Sequence, residues 1–99
     1  MVQIKWTKLA VNDLKGIYAS ISLDSEKYAK IQVLRIRNRT SILSKHPLAG
    51  KPVKEYESST YREINEGRYR IIYKVINKTR IDILTIHHSA RMLSGKVIE

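Results

Sequence analysis

Ninety-nine residues suit one small domain, and 42% apolar content supplies a single core rather than two. Nineteen Lys and Arg against nine Asp and Glu leave a net charge of +10, which points to a polyanionic partner: nucleic acid first, then an acidic protein, then an anionic membrane. The absence of cysteine excludes a disulfide framework and a thiolate metal site, and no run approaches the roughly 20 apolar residues that span a bilayer. The first residues lack the continuous apolar stretch of a signal peptide, so a cytoplasmic protein with no membrane partner is expected.

Val2, Ile4 and Trp6 alternate with Gln3 and Lys5, which predicts a half-buried strand over 2–6. Thr7 offers an N-cap oxygen to a helix over about 8–22, with Leu9, Ala10, Leu14, Ile17, Tyr18 and Ile21 at helical spacing. Lys8, Asn12, Asp13 and Lys15 fall on its opposite, wet face. Asp24 or Ser25 can cap a second helix, whose stripe Ala29, Val33, Ile36, Thr40 and Leu43 runs toward Lys45. Pro47 disfavours helix at His46 and ends it. The short link between the two helices implies an antiparallel helical hairpin. Lys27, Lys30, Arg35, Arg37, Arg39 and Lys45 decorate the second helix and read as a solvated face or as phosphate contacts.

Residues 46–60 hold both prolines and Gly50, and predict a loop with an extended piece around 52–56. Three strands follow: 60–65, 68–76 and 80–88, separated by turns at Glu66-Gly67 and Asn77-Lys78. The order β-α-α-β-β-β is α+β: one domain over 1–99, an antiparallel twisted sheet packed on an N-terminal helical hairpin. A three-residue loop at 77–79 would set Lys74 opposite Asp82, Arg70 opposite Ile86 and Arg68 opposite His88. That register sends Tyr69, Ile71, Tyr73, Val75, Ile81, Ile83, Thr85 and His87 toward the helices, and gathers Arg68, Arg70 and His88 on the other side. Neighbouring residues on a strand point to opposite faces, so His87 and His88 cannot share one metal ion, and no metal site or cofactor is implied.

Several stretches together resemble the RelE/ParE superfamily, the toxins of bacterial type II toxin–antitoxin (plasmid-stabilisation) systems. They are Ala-x-x-Asp-Leu at 10–14, Pro-x-x-Gly-x-Pro at 47–52, Arg62-Glu63 ahead of Tyr-Arg-Ile-Ile-Tyr at 69–73, and a closing His-x-x-Arg at 88–91. The resemblance covers about residues 2–93. It implies growth inhibition by ribosome-associated messenger RNA cleavage, an mRNA interferase or endoribonuclease activity. The alternative is a ParE-like poison of DNA gyrase without nuclease activity. A further alternative is an inert toxin kept for antitoxin and operator binding. Implied partners are an acidic antitoxin, the ribosome and mRNA or gyrase, and operator DNA through the antitoxin complex.

On the nuclease branch, Arg70 resembles the arginine that holds the scissile phosphate, Arg62 supplies a second charge, and His88 moves a proton. Glu55 lies where some members place a carboxylate base. Lys51 and Lys54 resemble lysines used in that region, and Arg68 and Arg91 would add target contacts. Structural readings stand beside these: Arg70 pairs with Glu63 across the sheet, His88 caps the strand, and Glu55 is a solvated loop carboxylate. No tyrosine follows Tyr73, where some nuclease members end on a catalytic one. The closing His-x-x-Arg looks more like the ParE side.

Overall fold

The computed structural model describes residues 1–89. Strand β1 (Gln3–Trp6) leads into helix α1 (Lys8–Ser22), then α2 (Glu26–Thr40), a 3-10 turn over Ser41–Ser44, and strands β2 (Lys51–Pro52), β3 (Tyr61–Glu66), β4 (Tyr69–Asn77) and β5 (Arg80–His88). The five strands form one sheet in the order β1-β5-β4-β3-β2. The α+β architecture is the one read from the sequence, with one correction: β1 joins β5 in parallel, so the sheet is mixed. A parallel pair needs a long crossover. Here both helices and three strands lie between the partners.

Thr7 caps α1 as expected, its hydroxyl oxygen accepting from the Ala10 N–H at 3.1 Å. Ser25 caps α2 by accepting from the Tyr28 N–H at 3.1 Å, with Glu26 in the first turn and Arg37 and Arg39 in the last, where they suit the helix dipole. The second helix stops short of Lys45. The hydroxyls of Thr40, Ser41 and Ser44 each donate to a carbonyl three residues back, which competes with regular helix and tightens it into the 3-10 turn.

Ala10, Ile36 and Leu43 from the helical side meet Ile64, Ile71, Tyr73, Ile81, Ile83 and Ile86 from the sheet. A smaller cluster lies on the other face, where Val53 and Ile72 pack with Tyr56, Tyr61 and Leu84. The loop after β2 therefore covers the far side of β4, and its middle stretch is buried on both faces. Each fully buried isoleucine contributes about 1.5–3 kcal/mol. At the sheet's β2 edge, a two-residue strand of lysine and proline discourages pairing with another chain.

The β4–β5 register follows expectation only in part. Lys74 opposes Asp82, and Tyr73 opposes Ile83. Two irregularities flank this stretch, one between Val75 and Asn77, the other between Ile72 and Tyr73. Beyond the second, Leu84 is the extra residue and pairing slips by one: Ile71 meets Ile86, Arg70 meets His87 and Tyr69 meets His88. The expected pairs Arg70–Ile86 and Arg68–His88 are thereby overturned.

Candidate functional site

Arg70 leaves β4 on the face away from the helices and meets two carboxylates. Its Nη1 and Nη2 each donate to Glu55 at 2.8 Å, a bidentate pair, and its Nε donates to Glu63 on β3. All three side chains are largely buried, with 9% of Arg70, 11% of Glu55 and 6% of Glu63 exposed. The Glu55 hydrogen bonds hold the guanidinium well above the ordinary arginine range; burial opposes them and Glu63 reinforces them. Lys51, exposed on β2, places its Nζ 3.9 Å from Glu63.

A groove of about 300 Å³ opens beside this network, lined by Lys51, Lys54, Glu63, Asn65, Arg70 and Ser89 among others. The site residues anticipated from sequence thus converge in part. Arg70, Glu55, Lys51 and Lys54 come together at or beside the groove. Arg62 does not join them: its Nη1 donates to the Gly50 carbonyl at 2.8 Å, tying the loop to β3. Arg68 is exposed at the β3–β4 turn, where its carbonyl accepts from the Ser89 N–H at 2.6 Å. Arg91 lies outside the described residues.

His88 does not sit among the arginines. Its ring meets Tyr69 edge-on at 5.7 Å, and Tyr69 packs against the helix-side core. His87 takes the position opposite Arg70 in the ladder. Both histidines line a second cleft, about 480 Å³, between the end of β5 and α1. The slip at Leu84 causes this exchange, and two side chains hold the slip in place. The Thr7 hydroxyl donates to the Leu84 carbonyl at 2.9 Å. One Asp13 carboxylate oxygen accepts both the Ile86 N–H at 3.1 Å and the Thr85 hydroxyl. Groups that the irregular ladder would leave unpaired are thereby satisfied from α1 and its cap.

Asp13 was therefore misread as part of a wet helix face. The signal was its fixed place in Ala-x-x-Asp-Leu. Gly50 has a similar explanation. A Cβ there would lie 2.6 Å from the Glu63 carbonyl oxygen and 2.7 Å from the Tyr73 hydroxyl. The Tyr73 hydroxyl accepts from the Gly50 N–H at 2.9 Å and donates to the Pro47 carbonyl at 2.8 Å. The Pro-x-x-Gly-x-Pro stretch is the seat of a buried tyrosine.

The family model described as "ParE toxin of type II toxin-antitoxin system, parDE" matches residues 4–93. A solved structure of the chromosomal ParDE toxin–antitoxin system from P. aeruginosa is similar at 25% identity and TM-score 0.74, covering 89% of this chain and 96% of that one. The RelBE2 toxin–antitoxin complex from Mycobacterium tuberculosis is also similar, at 25% identity and TM-score 0.57, covering 88% and 96%. No curated sequence matches. Among the described residues, no helix is long and apolar enough to cross a membrane.

Proposed function

Since this chain belongs to the ParE toxin family of type II toxin–antitoxin systems, we propose that it arrests growth by poisoning DNA gyrase, without cutting RNA. The observation that carries this reading is the state of Arg70. Three of its nitrogens donate to Glu55 and Glu63, so the guanidinium is engaged within the fold, with His87 opposite it in the ladder. RNA cleavage through the 2′-hydroxyl requires a base, an acid and cations around one phosphate. Here His88 meets Tyr69 edge-on near α1, and Glu55 is spent on an ion pair. The groove's remaining cations, Lys51 and Lys54, suit binding more than proton transfer.

The partner that restrains the toxin is an acidic antitoxin. A surface of net charge +10 attracts it, and both similar structures are of toxin–antitoxin systems. Induction of the toxin in cells without its antitoxin tests the target. The DNA-damage response should rise and plasmid supercoiling should fall while messages keep intact 5′ ends. Ribosome-dependent cuts in messages without DNA damage would overturn the proposal. Harmless expression of folded protein would overturn it too, in favour of an inert toxin.

A further inference from the structure

Leu48 is 61% exposed in the loop between the 3-10 turn and β2, and Ile76 is 40% exposed near the end of β4. Neither exposure comes from a slack chain. The Ala49 N–H donates to the His46 carbonyl at 3.0 Å, the Tyr73 hydroxyl holds both the Pro47 carbonyl and the Gly50 N–H, and Arg62 holds the Gly50 carbonyl. Leu48 is thus pinned on both sides. Ile76 is the residue left over where β4 pairs Val75 with Ile81 and Asn77 with Arg80, and a bulge of this kind re-aims a side chain. Two shallow hollows, about 500 and 410 Å³, share Pro47 and Leu48; Lys45 borders the first, and Val75, Ile76 and Lys78 border the second. No carboxylate is among the described residues lining either. Arg70 lies six residues back along β4, about 20 Å away.

A rigidly held apolar pair flanked by lysines fits a protein surface that offers an apolar recess with carboxylates around it, and the pinned loop keeps the ordering cost of docking low. A second copy of this chain would bring lysine against lysine. A nucleic acid offers phosphates to the lysines but no recess for leucine and isoleucine. We propose that Leu48 and Ile76 anchor the toxin in an acidic-rimmed recess of its protein target, with Lys45 and Lys78 engaging the rim. This rests on the gyrase reading, in which the toxin acts by holding its target. Because the Arg70 guanidinium is engaged within the fold, the hold is assigned to the Leu48 end of the sheet and not to the groove beside Arg70.

Titration of gyrase and DNA with the purified full chain, scored as trapped double-strand breaks, tests the anchor beside antitoxin affinity measured on the same preparations. Leu48→Ser and Ile76→Thr should each raise the toxin concentration for half-maximal trapping by about tenfold, the loss of one buried apolar anchor, with antitoxin affinity unchanged. Leu23→Ser removes an equally exposed leucine at the end of α1 and should match wild type. Lys45→Glu with Lys78→Glu should weaken trapping and reduce its salt dependence. If Leu48→Ser does not fold, this lysine pair and Ile76→Thr decide. Trapping by folded variants at wild-type concentrations would overturn the proposal. So would an equal loss from Leu23→Ser, a fall in antitoxin affinity, which would give the surface to the antitoxin, or a wild-type dimer in sedimentation that Leu48→Ser dissolves, which would give it to a second copy. Absence of trapping by the wild-type chain would overturn the gyrase reading itself and this anchor with it, whereas trapping that only the variants leave unchanged would overturn the anchor alone.

Discussion

Asp13 accepts two donors from β5 on one carboxylate oxygen, at the point where the strand slips its register. Asp13→Ala would leave the Ile86 N–H without its acceptor, at a cost of about 1–3 kcal/mol. Urea unfolding measures it, and a cycle with Thr85→Val should show non-additivity, because the two side chains share the contact. Arg70→Ala is more severe. It removes the arginine from two largely buried carboxylates, at about 3–5 kcal/mol. Tyr73 sets a pH dependence. Burial pushes its phenol above the ordinary value of 10.0, against the Gly50 hydrogen bond and the Arg62 charge. A raised folded value means that the folded state keeps a proton the unfolded chain gives up. Stability is full below pH 10 and falls as pH rises through the folded value. Tyr73→Phe should remove that alkaline loss while lowering stability at neutral pH. At this scale the sequence misled in a specific way: helical periodicity assigned Asp13 to solvent, because periodicity registers a helix face and not a neighbouring strand.

Elements were far more legible. Both helix starts, their caps and the three long strands stand within a residue or two of expectation, since apolar spacing and hydroxyl caps are local signals. The slip in β5 is long-range and was missed, although a trace of it is present. Ile81, Ile83 and Ile86 are all buried, and their spacing changes from two to three across Leu84. The parallel β1–β5 pairing left no local trace at all, and neither did the second core beneath residues 53–60. The loop carrying Gly50 offers a direct check. Gly50→Ala drives a methyl against the Glu63 carbonyl oxygen and the Tyr73 hydroxyl, so a cost of about 1–3 kcal/mol is expected. For a domain of this size each kcal/mol lowers Tm by about 4–8 °C, which calorimetry resolves. An unchanged Tm would mean that the loop does not close on Tyr73 as described.

For the whole molecule, a net charge of +10 dominates encounters. Binding to an acidic antitoxin should weaken steeply with salt, chiefly through the association rate, and should raise Tm by mass action. Stopped-flow mixing at increasing ionic strength checks the first and a thermal melt of the complex the second. Charge points to a polyanionic partner and motif order announced the family, but neither carried the state of Arg70. Glu55, Glu63 and Arg70 lie far apart in the chain, and only the folded sheet and its covering loop bring them together. The proposal of a target engaged by binding alone rests on that arrangement. The most direct measurement is gyrase-mediated DNA cleavage in the presence of the purified toxin and ATP. Trapped double-strand breaks and lost supercoiling, dependent on toxin concentration and abolished by the antitoxin, are the expected result. Undisturbed gyrase, with the same preparation cutting ribosome-bound message, would contradict it.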